Sequence, residues 1–465
     1  MYCSAKNIIR SISLPFLNNF NNILLFRVLS SKNWLNNPTF YQINISIQNS
    51  FQIAKQCGTL KQTRACYIFQ VSLRRRFLKK TFLVLAASLV LGASAMTAVS
   101  PSTNTVQAAS TKKATTQKQT AAQQAKMRTF VRQTLNDNHV RGTTVVVKNG
   151  VPQQISYGYA WYGNNMGNGD PEITYPACSL QKVITAAIIT QLINEKVGTS
   201  DHFSQYTTIN RWYPDLKNSS LVTVGDLLAN TSGNTVGNTE VDRDQDYTEQ
   251  EAIDWIINDI NDSPSGQIGS YFYNNANYIL LAGIISKLTG KSYEQNFEDR
   301  IVNKLGLKGT YLYQDIPTGM TDPISYNYDY QTGKNYQNAV YVPSTLASQI
   351  PGAGNMFTTP MDYYKIQVAL TDGTILDKDD FNYMTHVKSR VNNYAAGTYL
   401  DNNDNIKSAY GNLRGTHFGN WYQLTTDNKN GLIMFLNQTD DNEKDVKAVG
   451  YDILQHIKPN TFVAN

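Results

Sequence analysis

The apolar residues of this chain are grouped into runs whose spacing changes from one part to the next. After an apolar stretch at 82–92 and a polar spacer at 100–126, Met127 to Leu135 carries helical periodicity. Two β-prone runs, Thr143 to Lys148 and Gln153 to Tyr159, flank Asn149-Gly150, a pairing that predicts a hairpin. Val183-Ile184-Thr185-Ala186-Ala187-Ile188-Ile189 then predicts a helix ending near Gly198. The middle reads as helical: Val222 to Leu228, a capping box at Thr248 to Glu251 opening Ala252 to Ile257, and Asn277 to Leu288 closed by Gly290. Strand patterning returns in Trp421 to Thr425 and Leu432 to Leu436, which flank the turn-prone Asp427 to Gly431, and Val446 to Ile457 predicts a closing helix. With strands at both ends and helices between, the expected fold is α/β (α+β). It has one antiparallel sheet built from both ends of the chain that follows residue 109, flanked by helices, with an all-helical subdomain inserted at roughly 200–350.

Charge separates the first quarter from the rest. Residues 1–109 hold twelve of the 41 Lys and Arg and none of the 35 Asp and Glu, which leaves 29 basic against 35 acidic residues, a net −6, for the remainder. Nucleic acid is thereby excluded as a partner, because phosphate recognition needs a basic patch on the folded part. Arg74-Arg75-Arg76-Phe77-Leu78-Lys79-Lys80 followed by Thr81 to Gly92 has the form of a secretory signal. Cleavage is expected after Ala95 or Ala108; left uncleaved, the same segment is an N-terminal anchor and the one contact with membrane. The expected division is therefore 1–70 a leader preceding the true start, with Val71 or Leu73 as initiator; 71–109 signal or anchor; 110–125 a Ser/Thr/Ala/Gln/Lys linker; and 126–460 a catalytic domain held outside the cytoplasm, secreted or at the envelope.

The chemistry starts at Ser179-Leu180-Gln181-Lys182. A hydroxyl and an amine at i, i+3 share one helix face, and a desolvated lysine there can take the serine's proton. The pattern alone is cheap, since Ser110-Thr111-Lys112-Lys113 also fits it within the linker. The plainer roles are a helix cap for Ser179 and a surface charge for Lys182. Cys178 adjoins Ser179 and is weighed as nucleophile against the role of a small buried residue. The histidines at 139, 202, 386, 417 and 456 show no metal-ligand spacing, so no metal or cofactor is expected, and the acidic run Glu240 to Asp262 reads as a solvated helix face and loop.

Two further pieces lie downstream in order: Tyr273-Asn274-Asn275 before the Asn277 helix, and His417-Phe418-Gly419 before the Trp421 strand. Together with Ser179 and Lys182 they resemble the motif set of the serine β-lactamase and penicillin-binding-protein superfamily. Asp226 to Gly233 is similar to the D-L-L-x-H-T-S-G of its class C β-lactamase-like branch, Trp212 to Leu216 to Y-L-P-E-L, and Pro351 to Gly354 with Thr358 to Asp362 to A-G-G-x-x-S-T-A-x-D. Asn230 departs from the family's His, and His417 from the Lys of K-T-G. The resemblance covers about residues 125–458 and implies a Ser179 acyl-enzyme, with Lys182 and Tyr273 sharing its proton. It implies Asn275 on the substrate's acyl-side amide and supporting Lys182, His417 steering the substrate, and an oxyanion hole from the backbone N–H groups of Ser179 and Asn420, the latter just after Gly419. The expected partner is a cell-wall polymer or small acyl substrate, a D-alanyl group or a β-lactam. Three functions stay open: D,D-carboxypeptidase or teichoic-acid D-alanyl esterase; β-lactamase or general esterase; and a non-catalytic wall-binding module.

Overall fold

The computed structural model describes residues 119–464, apart from 238, 241–244, 388–391 and 441. The expected leader and signal lie outside the described residues. The first helix, α1 (Ala121–Asp137), begins inside the segment expected to be linker. Thr120 is the reason: its side chain accepts from Gln123 N while the Gln123 side chain reaches back to the Thr120 backbone, so the helix is capped seven residues before Met127, the first buried position.

The main sheet is built from β1 (Arg141–Lys148), β2 (Val151–Tyr157), β3 (Ile324–Asp329), β4 (Lys334–Tyr341), β5 (Tyr394–Ala395), β6 (Thr398–Asp401), β7 (Ile406–Gly411), β8 (Gly419–Thr425) and β9 (Gly431–Gln438). Its order is β5-β6-β7-β8-β9-β1-β2. The N-terminal hairpin thus joins the C-terminal strands through antiparallel β1 and β9, with Val145 opposite Ile433, as the expectation of a sheet made from both ends requires. The expectation of an all-helical insertion fails at β3 and β4. This hairpin falls at 324–341 and joins the sheet where Tyr326 pairs with Gln438 in parallel. Its alternation is written in Tyr and Asn rather than aliphatic residues, because most of β4 stays partly wet, so the pattern carries little hydrophobic signal.

Alternate residues of the central strands feed two cores. Val145, Val147, Ile433 and Phe435 pack on the larger one; Val146, Leu432, Met434 and Leu436 pack on the smaller, under α1 and α7 (Glu443–Ile457). A sheet covered on both faces explains why these strands are unbroken apolar runs. The larger core is organised around α2 (Lys182–Glu195) and α5 (Asn275–Thr289), with α3 (Val224–Leu228), α4 (Glu249–Asp262) and α6 (Pro360–Ala369) around them. Every residue of α2 from Lys182 to Ile193 is buried, and polar members find partners on distant segments, Thr185 on Gly352 O and Gln191 on Ile375 O. Among the described residues no helix is long and apolar enough to cross a membrane.

Lys407 on β7 is a second fully buried lysine. Its Nζ lies 3.3 Å from Gln367 O and over the Phe381 ring, and burial pulls it down to about 7 against the opposing pull of Asp427. Because the folded-state value is depressed, the unfolded chain binds the extra proton between about 7 and the ordinary 10.5. Stability contributed by this group therefore rises with pH across that window and is flat below it. Lys407→Met is expected to raise stability near pH 7 by about 2 kcal/mol and to flatten the slope. Urea midpoints at several pH values check it, and an unchanged slope would dismiss the assignment.

Candidate active site

Ser179 sits in a single 3-10 turn, Cys178–Gln181, that runs directly into α2. The turn is reached through Cys178, a non-glycine residue at φ 53°, a sparsely populated conformation that the packing must enforce. Three contacts enforce it. Ala177 N donates to Met356 O, Asn420 Nδ2 donates to Pro176 O at 2.6 Å, and the backbone of Gly411 lies so near that a Cβ there would stand 3.0 Å from Ser179 N. Cys178 itself is buried, and burial holds its thiol well above its usual value, so it stays protonated against Pro176 O. That is the small buried residue, not a thiolate nucleophile.

Lys182 Nζ lies 3.0 Å from Ser179 Oγ and 2.8 Å from Ala353 O, with the Tyr273 and Tyr278 rings 5.1 and 5.7 Å away. Burial lowers it to about 7, and the nearby Glu240 carboxylate limits the fall. Desolvation wins over both the aromatic faces and the carboxylate, leaving an amine that is substantially neutral at pH 7 and able to accept a proton. The carbonyl that holds it belongs to Pro351-Gly352-Ala353-Gly354. That segment is clamped to α2 because Gly352 O accepts from Thr185 and the left-handed Gly352 leaves no room for a side chain beside Ala282.

Tyr273 is 38 % exposed overall, so the rim of its ring is wet, while its hydroxyl interacts with Ser179. Burial, with Tyr399, Tyr278 and Glu240 adding to it, keeps the phenol far above its ordinary value and hence protonated. Tyr273 is placed by a network that the sequence only hinted at. Asn230, at φ 55°, accepts from Asn274 N and Asn277 Nδ2 through its Oδ1, and its backbone oxygen accepts from Phe272 N. Asn274 then caps α5 through Ala276 N. The residue that departs from the family's His is the one that pins the tyrosine segment.

Asn275 begins α5 and is buried. Its Nδ2 donates to Thr239 Oγ1 at 3.0 Å and Glu240 Oε1 at 2.7 Å, while the hydrogen bonds of Lys182 go to Ser179 and Ala353. His417 stands just before β8; its N donates to Ser325 Oγ on β3, and its O accepts from Thr439. Gly419 and Asn420 open β8 inside the sheet, between β7 and β9, and it is Gly411 of β7 that lies against the Ser179 turn. Ser179, Lys182 and Tyr273 are thus brought together, and Asn420 is tied to the same turn.

Glu240 is the residue that the sequence reading passed over as part of a solvated run. Its Oε1 accepts from Asn275 and its Oε2 from Arg414 N, and its charge is felt at Lys182, Cys178 and Tyr273. Within α4 the expectation holds for Glu251 and Asp254, which are exposed, but not for Glu249, which is partly buried and accepts from Ser286 Oγ and Tyr293 N. Among the described residues no three His, Cys, Asp or Glu side chains converge as a metal site.

Comparison with known proteins places this geometry. The family model described as Beta-lactamase matches residues 127–456. Over 330 residues the chain is 26% identical to the teichoic acid D-alanine hydrolase of Staphylococcus aureus, covering 70% of this chain and 77% of that protein. Among solved structures, FmtA from Staphylococcus aureus superposes with a TM-score of 0.58 at 21% identity, over 72% of this chain and 88% of that one. The D-amino acid amidase from Ochrobactrum anthropi SV3 complexed with D-phenylalanine gives 0.59 at 22%, over 72% and 100%. The two superpositions speak for the fold.

Proposed function

Since the chain belongs to the β-lactamase family of serine hydrolases, we propose that it hydrolyses D-alanyl ester bonds of an envelope polymer of the teichoic-acid type, outside the cytoplasm, through an acyl-enzyme on Ser179. The observation that carries the reading is the desolvated Lys182 amine 3.0 Å from Ser179 Oγ. The relative at 26% identity, a teichoic acid D-alanine hydrolase, supports the choice of bond.

In this reading Ser179 Oγ attacks the ester carbonyl carbon while its proton passes to Lys182 Nζ. The backbone N–H of Ser179, at the head of its turn, faces the developing oxyanion; that of Asn420, which the resemblance implied as the second donor, is spent within the sheet, where Asn420 is paired with both Gly411 and Phe435. Protonated Tyr273 hands its hydroxyl proton to the departing polymer alkoxide and is reprotonated from Lys182. Water then adds to the D-alanyl-Ser179 ester with the neutral amine as base, and D-alanine and free Ser179 are restored. His417 replaces the permanent ammonium that the family's K-T-G lysine would offer a substrate carboxylate, which favours substrates without one over β-lactams.

The test is release of free D-alanine from isolated teichoic acid, from a pentapeptide stem, and loss of a cephalosporin, each with Ser179→Ala as the blank. The expected result is Ser179-dependent release from teichoic acid, and Ser179-dependent activity in the medium or envelope fraction of producing cells. Release only from the stem would make the protein a carboxypeptidase. Fast cephalosporin turnover with no D-alanine from either polymer would make it a β-lactamase.

A further inference from the structure

The substrate-facing end of α5 carries acceptors where recognition of an acylated substrate would need donors. Asn275 uses both hydrogens of its amide within the protein, on Thr239 Oγ1 and Glu240 Oε1. Because one of those partners is a carboxylate, an acceptor only, the amide cannot be reversed without setting oxygen against oxygen. What remains is Asn275 Oδ1, buried and with no hydrogen-bond partner among the described residues, in a residue only 8 % exposed. Beside it stands Glu240, with one contact from Asn275 and one from Arg414 N on a carboxylate that has about four acceptor directions. An unsatisfied buried acceptor is costly unless something donates to it. Asn275 lies two residues beyond Tyr273, whose hydroxyl interacts with Ser179, and its contact with Glu240 brings the carboxylate to the same end of α5.

We propose that Asn275 Oδ1 and the Glu240 carboxylate together receive the free α-ammonium of an aminoacyl ester, so that the enzyme selects unacylated aminoacyl groups over N-acylated stem peptides and β-lactams. An ammonium has three donors and a positive charge, matching a carboxylate and a neutral acceptor side by side. The carbonyl of an N-acyl group would meet acceptors only, a mismatch that discriminates more strongly than a lost contact. This explains a carboxylate close to a catalytic lysine that works as a neutral base: Glu240 raises Lys182, opposing the fall that catalysis uses, so its place calls for a separate reason. The inference rests on the acyl-enzyme reading above and narrows its substrate.

The experiment compares two Ser179-dependent substrates, D-alanine p-nitrophenyl ester and its N-acetyl counterpart, at pH 7, where an α-amino group of ordinary pKa near 8 is mostly charged. The readout is the ratio of their kcat/KM values, from which any shared effect on Lys182 cancels. The native enzyme is expected to favour the free amine by about 100-fold, and Glu240→Gln to shrink that preference by about 10- to 100-fold, chiefly through KM. Glu240→Asp is expected to restore part of it. A ratio near one in the native enzyme, or one untouched by Glu240→Gln, overturns the proposal while leaving Ser179 hydrolysis standing. If neither ester is turned over, the acyl-enzyme reading fails instead. Calorimetric binding of D-alanine methyl ester against N-acetyl-D-alanine methyl ester to native and Glu240→Gln protein then decides the ammonium site alone: preference lost with the charge supports it, and no preference refutes it. Should Glu240→Gln fold poorly, competitive inhibition of the native enzyme by D-alaninol and not by N-acetyl-D-alaninol supports the site, and equal inhibition by the two, or by neither, refutes it.

Discussion

Lys182→Ala and Lys182→Arg are expected to lower kcat/KM alike, by about 10⁴-fold or more, while both proteins keep their fold. The alanine variant removes the group 3.0 Å from Ser179 Oγ; the arginine keeps a cation but cannot give up its proton. If Lys182 served only to stabilise charge, arginine would rescue. The native pH profile separates the possibilities further. With Lys182 at about 7, kcat/KM should rise tenfold per pH unit below that value and level off above it, because only the neutral amine accepts the serine proton. The phenol of Tyr273 is held far above that range, so a profile limited by a tyrosinate base would keep rising into the alkaline region. A rise extending past pH 9, or substantial activity in Lys182→Arg, would move the base from Lys182 to Tyr273. Stability shifts the same way as activity: the depressed lysine leaves the native state short of a proton that the unfolded chain binds, so stability too climbs with pH between about 7 and 10.5.

What could be read from the sequence was set by how local each feature is. Ser179 and Lys182 are three residues apart at the head of an apolar run, so one helical turn suffices to place them. The unbroken runs in β1 and β9 announce strands buried on both faces, and their joining of the two ends followed from that. The motif order carried Tyr273, which lies far from Ser179 in sequence and is brought to it only by the fold. Other features gave no local signal. Glu240 is a carboxylate in a stretch dense with carboxylates, and nothing in composition separates the one held by Asn275, 35 residues away, from those facing water. Asn230 was visible as a departure from the family motif, but its left-handed backbone and its grip on Asn274 and Asn277 depend on contacts more than 40 residues distant. The β3–β4 hairpin hid because partly wet strands are written in Tyr and Asn, residues common throughout this chain. Local chemistry was legible; the polar contacts that tune it were tertiary.

The other large effect is expected far from any chemistry, at Gly397. This glycine closes the turn between β5 and β6 at φ 90°, and its Cα faces the first turn of α2. A Cβ there would stand 2.5 Å from the carbonyl carbon of Lys182 and 2.6 Å from Val183 Cα, and closer still to Val183 N. All three are backbone atoms of a helix whose residues are buried, so no side chain can swing away and relieve the overlap. The backbone angle disfavours an L residue independently of the clash. Gly397→Ala is therefore expected to cost about 3 kcal/mol or more, read as a fall in the urea midpoint. It is also expected to lower kcat in the fraction that folds, because relief requires α2 to move and α2 carries Lys182. Gly373→Ala is the matched control: that glycine also has a positive φ, at 95°, but open space around its Cβ, so it tests strain without collision and should cost about 1 kcal/mol. Equal losses in the two variants would show that backbone strain alone is at work and that the turn does not press on the catalytic helix. A large loss confined to Gly397→Ala would show that the β5–β6 turn fixes the position of α2, and through it the 3.0 Å separation on which the chemistry depends.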